Sequence, residues 1–181
     1  MNRIKIILIF FSMLLCITGC TPAQEEIEKE LILPATIPSF VQKSDIETID
    51  WDRKAVKFGD SGMIGNEKKS GVIGADMPSL NGQKWMWHLW GTENATNTDL
   101  TVVGFHRESG TVHPILIDGW SLKLGGENNG ADAHIPSSVK IPKSGEWAIL
   151  LYTNGELFDT VVYNIHKYSP IRFPPPSPCC F

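Results

Sequence analysis

Aromatic and imidazole side chains are concentrated in one short stretch, "KWMWHLWG", between Lys84 and Gly91. Aromatic rings combine a large apolar area with a polar edge, so such a cluster can form a binding platform for a ligand or a partner. If the stretch is a β-strand, its side chains alternate between two faces. One face then carries Trp85, Trp87 and Leu89, and the other carries Met86, His88 and Trp90.

Only one face of this strand can pack against an opposing sheet in a β-sandwich. The second face is therefore either covered by a loop or open to a ligand or partner. We predict that the stretch is chiefly a structural strand. Its even-numbered face, with Met86, His88 and Trp90, is the best candidate for a binding surface.

A second group of polar side chains lies in "LGGENNGADAHIPSSVKIPKSG", residues 124–145. Its glycines and asparagines favour a loop that is long for a simple connection. Four side chains are candidate ligand-binding residues: Asn128, Asn129, Asp132 and His134. The structural alternative is that Asp132 and the asparagines cap turns, and that His134 donates a hydrogen bond to a carbonyl.

Metal binding and catalysis have weak support in the sequence. Asp132 and His134 with His88 could supply three ligands, but a zinc site needs a fuller first shell, so we predict no metal and no cofactor. No nucleophile elbow, zinc-protease motif or phosphate loop is present. Glu93 and Asp99 could resemble a glycosidase pair, but they lie in a polar turn. We predict a protein that is not an enzyme; a cell-wall hydrolase would need a cleft with a coupled acid and base.

The first 19 residues have the pattern of an export signal. Arg3 and Lys5 precede an apolar run over residues 6–17, shorter than the about 20 residues that span a bilayer core. "ITGC" then resembles a bacterial lipobox, in which the cysteine receives a diacylglycerol. We predict a lipoprotein signal peptide over residues 1–19 and lipidation of Cys20, the alternative being a simple secretory signal with an incidental cysteine. Two or more acyl chains hold a protein firmly on a membrane, so the expected location is the extracytoplasmic face of the bacterial cell membrane.

Charge and cysteine content restrict the partners. Removal of residues 1–19 takes away two basic residues and changes the formal net charge from −4 to −6. Nucleic-acid binding needs a basic face, so we predict none. The expected partners are the membrane, through the lipid anchor, and a protein or cell-wall component. Beyond Cys20, the only cysteines of the mature chain are Cys179 and Cys180.

Short β-strands and turns dominate from about Phe40 onward. Strand patterns cover residues 85–90, 100–106, 112–117, 139–141, 146–152 and 157–165, with weaker ones at 55–58 and 70–73. Asn154-Gly155 favours a type I′ hairpin between the last two strands. Both faces of the first of these strands, "EWAILLY", are largely apolar, which predicts a central position in its sheet. The pattern predicts an all-β protein with an antiparallel β-sandwich. The predicted domains are a lipidated cysteine and flexible tether over 20–39, the sandwich over 40–168, and a proline-rich tail over 169–181.

The lipobox, "KWMWHLWG" and residues 124–165 together resemble a family of small lipoproteins of spore-forming Gram-positive bacteria. The resemblance covers roughly residues 60–165. It implies an Ig-like sandwich and an extracytoplasmic location, and it implies no catalytic residues. The function that we predict is a membrane-anchored, non-enzymatic binding or interaction module. The alternative is a sensor or delivery lipoprotein that binds a small ligand or a metal.

Overall fold

A computed structural model describes residues 31–75, 80 and 82–166. The predicted signal peptide, Cys20 and the proline-rich tail with Cys179 and Cys180 lie outside the described residues. The described residues belong to one compact unit. Its elements, in chain order, are α1 (Lys43–Glu47), β1 (Val56–Phe58), β2 (Met63–Asn66), β3 (Ser70–Ile73), β4 (Gln83–Leu89), a 3₁₀ turn (Ala95–Asn97), β5 (Asp99–His106), β6 (Thr111–Pro114), β7 (Ser121–Lys123), β8 (Ala133–Val139), β9 (Gly145–Thr153) and β10 (Glu156–Ile165).

Two antiparallel sheets form a β-sandwich, which confirms the predicted fold class. The first sheet has the order β1-β2-β3-β4-β8, and the second has the order β10-β9-β5-β6, with β7 also paired to β5. In immunoglobulin notation, β3-β4-β8 correspond to strands A-B-E, and β10-β9-β5-β6 correspond to G-F-C-C′. The consecutive strands β4 and β5 lie in different sheets, as strands B and C do in that fold.

The main core lies between the two sheets and contains the odd-numbered face of β4. Trp85, Trp87 and Leu89 are completely or almost completely buried there. Side chains that face them from the second sheet are Leu100, Val102, Trp147, Ile149, Leu151 and Val161. Strand alternation therefore predicted correctly which residues of this strand share a face.

The hairpin between β9 and β10 also agrees with the sequence. Asn154 and Gly155 have φ values of 50° and 87°, the left-handed conformation that a type I′ turn requires at both central positions. Strand β9 lies between β5 and β10 and is buried on both faces. The apolar residues on both sides of "EWAILLY" predicted this central position.

A second apolar cluster covers the outer face of the second sheet. Ala148, Leu150 and Tyr152 of β9 pack there against a segment formed by residues 31–51. The Tyr152 hydroxyl donates a hydrogen bond to Asp45 of α1, 3.0 Å away. Leu31, Leu33 and Ile37, which fall within the predicted tether, are partly buried against this cluster. The last part of the predicted tether therefore packs against the outer face of the second sheet.

Several elements differ from the sequence prediction. Residues 133–139 form the long strand β8, although the sequence predicted a strand only from Val139 to Ile141 in this region. Pairing with β4 along seven residues, from Gln83↔Val139 to Leu89↔Ala133, supplies the backbone partners that stabilise β8. Strand β2, strand β7 and helix α1 were not predicted. Each is at most five residues long, which is too short for a periodic pattern to be detected.

Candidate functional site

The outer face of β4, which carries Met86 and His88, is covered by a loop of residues 125–132, hereafter the Asn-rich loop. The Asn128 amide lies 3.8 Å from the Met86 sulfur, and the Asn129 amide lies 3.1 Å from His88 Nε2. His88 has 0 % of its surface exposed, and Met86 is half-buried. Of the two alternatives for this face, cover by a loop is therefore the one found at His88, because the Asn-rich loop folds back over the strand.

Hydrogen bonds to the end of β4 and within the loop region fix the shape of the Asn-rich loop. The backbone N–H of Gly91 donates to Asp132 Oδ2 at 2.6 Å, and His134 Nδ1 donates to the Gly126 carbonyl at 2.7 Å. Asn128 and Ala131 pair across the tip of the loop, where Asn129 adopts a positive φ of 49°. His134 therefore bonds a carbonyl, as the sequence allowed, whereas Asp132 ties the loop to the distant backbone of Gly91.

Burial determines the protonation state of His88. The Asn129 amide nitrogen donates to Nε2, so the neutral ring carries its proton on Nδ1, which is buried and forms no hydrogen bond of good geometry. Desolvation lowers the pKa of His88; the backbone carbonyls of Met86 and Gly71 oppose this effect, and the charge of His134 adds to it. The ring of His88 stacks between those of Trp90 and His134, with centroids 6.4 Å from each.

This burial predicts a loss of stability in mild acid. Because the pKa of His88 is lowered in the folded state, the unfolded chain binds a proton below its ordinary pKa of about 6.5 while the native ring resists. For each such group, the free energy of unfolding falls by up to about 1.4 kcal/mol per pH unit below that pKa. We expect urea unfolding of the wild type to show a larger loss between pH 7 and pH 5 than unfolding of His88→Gln.

A second histidine provides the comparison for this experiment. The pKa of His113 is lowered by burial and by the charges of Lys143 and His106, so His113→Gln should remove a separate part of the acid sensitivity. If His88→Gln and the wild type lost equal stability between the two pH values, His88 would not be a buried neutral ring.

The three side chains that could have held a metal are occupied by other partners. His88 Nε2 bonds Asn129, Asp132 accepts from the Gly91 backbone, and His134 bonds the Gly126 carbonyl. Within the described ranges, no group of three or more His, Cys, Asp or Glu side chains has the geometry to hold a metal ion.

Trp90 differs from His88 because it lies at the end of the strand, beside an open cleft. Its indole N–H donates to the Gly130 carbonyl at 2.6 Å, and its backbone N–H donates to the Lys69 carbonyl at 3.0 Å. Its ring also packs at 58° against Phe58, with centroids 6.0 Å apart. The side chain is half-buried, so these contacts fix the ring and leave part of its surface accessible.

The cleft beside Trp90 has a volume of about 300 Å³. It is lined by Phe58, Gly59, Asp60, Ser61, Met63, Trp90 and Asn129. Of the seven predicted ligand-binding residues, the structure brings Trp90 and Asn129 to this cleft. Met86, His88, Asn128, Asp132 and His134 instead support the loop behind it.

Sequence reasoning did not identify Phe58, Asp60, Ser61 and Met63. They belong to the hairpin of β1 and β2, which reaches Trp90 only because β3 pairs with both β2 and β4. The chain separation of about 30 residues leaves no local pattern that connects them. A glycine in β3 provides the close approach, since a Cβ on Gly71 would lie 2.6 Å from the Phe58 ring.

A second polar cluster lies at the β5–β6 hairpin and contains His106 and His113. His106 is buried there, with 5 % of its surface exposed. Its Nε2 is close to two acceptors, the Ser144 carbonyl at 3.0 Å and the Glu108 carboxylate at 2.9 Å, and therefore carries the proton. His106 Nδ1 then accepts from the Ser109 hydroxyl at 2.8 Å.

This cluster contains a serine beside a histidine and a glutamate, but the serine oxygen is occupied. With its proton directed to His106, Ser109 Oγ accepts from Thr111 at 2.6 Å and from Lys143 at 3.2 Å. A hydroxyl has two acceptor lone pairs, so both are engaged. The arrangement is therefore that of a hydrogen-bond network that stabilises the hairpin, and not that of an activated nucleophile.

Comparisons with known proteins agree with the fold. The family model described as "Domain of unknown function (DUF4871)" matches residues 40–163. A crystal structure of a proposed lipoprotein from Bacillus anthracis superposes with a TM-score of 0.56 at 20 % sequence identity, covering 72 % of this chain and 96 % of that chain. A comparison with curated proteins finds no match. In the part of the chain that the structure describes, no helix has the length and hydropathy to span a membrane.

Proposed function

The chain belongs to the DUF4871 family, and from that premise we propose that it is a lipid-anchored binding module on the extracytoplasmic face of the cell membrane. The anchor is supported by "ITGC" at residues 17–20 and by the lipoprotein description of the Bacillus anthracis protein with the same fold. Its proposed mode of action is binding without catalysis, to a protein or cell-wall component.

The observation that carries the proposal is the fixed, partly accessible indole of Trp90 at the cleft. A binding site gains affinity when its residues are already held in the bound geometry, because less side-chain entropy is lost. Trp90 meets this condition through its hydrogen bond to Gly130 and its ring contacts with Phe58 and His88. Tryptophan is also among the residues that contribute most to binding energy when they lie centrally in an interface.

The anchor is tested by replacing Cys20. In the wild type, mass spectrometry of the native protein should show a chain that begins at a diacylglycerol-modified Cys20 and that sediments with membranes. Cys20→Ser removes the thiolate that is alkylated, so at least nine-tenths of the lipid modification should disappear. An unmodified Cys20 in the membrane fraction of the wild type would contradict the proposal.

The binding surface is tested by Trp90→Ala. We expect capture of the protein by isolated cell walls or surface proteins to fall at least tenfold, because an interface residue of this type is commonly worth about 2 kcal/mol. The free energy of unfolding should fall by only about 1–2 kcal/mol, since the indole is partly exposed and loses one hydrogen bond. Sedimentation with walls and thermal unfolding measure the two effects.

Leu157→Ala is the matched control, because Leu157 is an exposed apolar side chain that does not line the cleft. It should leave capture unchanged. Equal capture of wild type and Trp90→Ala would exclude the cleft as the binding surface. A loss of stability above about 4 kcal/mol would instead assign Trp90 to the core.

The size of the cleft favours a small ligand as the second candidate. Pockets for small molecules begin at about 300 Å³, the volume found beside Trp90. The protein would then act as a sensor or delivery lipoprotein. Thermal stabilisation by a dialysable extract of the culture medium would support this version, whereas stabilisation only by walls or macromolecules would support the first.

A further inference from the structure

We infer that the cleft beside Trp90 binds a neutral, polyhydroxylated ring, namely a pyranose residue of a surface glycan. This inference rests on the proposed function and names the class of ligand. It follows from the apolar wall of the cleft, from its polar groups and from its charge.

The wall supplies apolar contact to one side of a flat ligand. Phe58 and Trp90 meet at 58° with centroids 6.0 Å apart, and Met63 completes this wall. The Phe58 ring lies directly against the backbone of Gly71, and the Trp90 ring is held by Gly130. A pyranose ring presents an apolar face of C–H groups, which can lie on such aromatic surfaces, and hydroxyl groups around its edge.

Polar groups beside this wall suit the hydroxyl edge. Asp60 and Ser61 in the β1–β2 turn, together with Asn129, line the same cleft. A carboxylate accepts hydrogen bonds at both of its oxygens, while an amide and a hydroxyl each donate and accept, so neighbouring sugar hydroxyls find partners of both kinds. The contact with His88 orients the Asn129 amide before any ligand arrives.

The charge of the cleft disfavours ionic ligands. Among the described residues that line the cleft, Asp60 is the only charged one, so an anionic ligand would be repelled. Nearby, the side chain of Lys57 extends over the turn, and its ammonium would lie 3.4 Å from a Cβ on Gly62. This positive charge offsets the negative charge of Asp60 in the neighbouring turn, so the net charge beside the cleft is small and a neutral ligand matches it best.

The experiment measures binding of the purified, lipidated protein in detergent by saturation-transfer NMR and calorimetry. The neutral probes are N-acetylglucosamine tetramer and maltotetraose, and the charged probes are a chitosan tetramer and a tetragalacturonate. We expect at least one neutral probe to bind more tightly than both charged ones. Trp90→Ala and Asp60→Asn should each weaken that binding at least tenfold.

Two further variants separate binding from folding. Trp90→Phe retains an aromatic face but loses the indole N–H bond to Gly130, so its affinity should lie between those of the wild type and Trp90→Ala. Thermal unfolding of both variants shows whether the loss of binding follows a loss of stability. Asp118→Asn changes an exposed aspartate that does not line the cleft, and should bind like the wild type.

The possible failures are distinguishable. If walls capture the protein through Trp90 but no neutral probe binds, the sugar assignment is wrong and the proposed function stands. If a charged probe binds most tightly and Asp60→Asn changes that preference, the cleft is an ionic site. If Trp90→Ala affects neither wall capture nor probe binding, both proposals are wrong.

Discussion

Trp87→Ala is expected to lower the free energy of unfolding by about 4 kcal/mol, within the range found for buried Trp→Ala changes. Trp87 has 0 % of its surface exposed and packs against Trp85, with ring centroids 5.3 Å apart. Its indole N–H also donates to the Ser137 hydroxyl at 2.8 Å, which joins β4 to β8. Removal of the ring leaves a cavity between the sheets and a buried hydroxyl without its donor.

Thermal and urea unfolding measure this effect, and the melting temperature should fall by roughly 15 °C. Trp87→Phe is the matched control: it retains most of the ring volume and loses the hydrogen bond, so it should cost about half as much. A second comparison is Trp90→Ala, three positions along the chain, which should cost far less. Similar losses at positions 87 and 90 would contradict the assignment of one tryptophan to the core and the other to the cleft.

Asp159→Ala is expected to lower the free energy of unfolding by about 3 kcal/mol, because it leaves buried donors unsatisfied. Asp159 is 5 % exposed and lies in β10 of the second sheet. Its carboxylate accepts from Ser70 at 2.5 Å and Asn66 at 2.9 Å, both in the first sheet, and from Arg53 at 2.8 Å. A register shift between Leu157 and Asp159 marks a β-bulge, a feature that commonly redirects a side chain.

Arg53 contributes less to this loss than the two neutral donors. Its side chain is 51 % exposed, so water can replace the carboxylate, whereas Ser70 is 0 % exposed. Asp159→Asn keeps one acceptor oxygen and should therefore lose less stability than Asp159→Ala. The surface control is Asp99→Ala, because the Asp99–Lys123 pair is about 60 % exposed on both sides and should contribute below about 1 kcal/mol. Equal losses at Asp99 and Asp159 in urea titrations would contradict the bridging role of Asp159.

The contrast between His88 and Trp90 shows where sequence reasoning ends. Both were assigned to the even-numbered face of β4, and the structure places both away from the main core. Alternation alone cannot say that the Asn-rich loop covers the first and leaves the second accessible, because coverage depends on a segment about 40 residues away. His88 thus supports the loop, while Trp90 borders the cleft.

The sequence by itself determined the all-β class, the two faces of "KWMWHLWG", the hairpin at Asn154-Gly155 and the central position of β9. These features arise from strand alternation and from backbone preferences that act between residues close in the chain. The tertiary structure decided that the outer face of β4 and the outer face of the second sheet are covered. It also decided how Asp159 joins the sheets and how the β1–β2 turn meets Trp90 to form a cleft. Those outcomes depend on pairing and packing between distant segments, for which a single sequence contains no local signal.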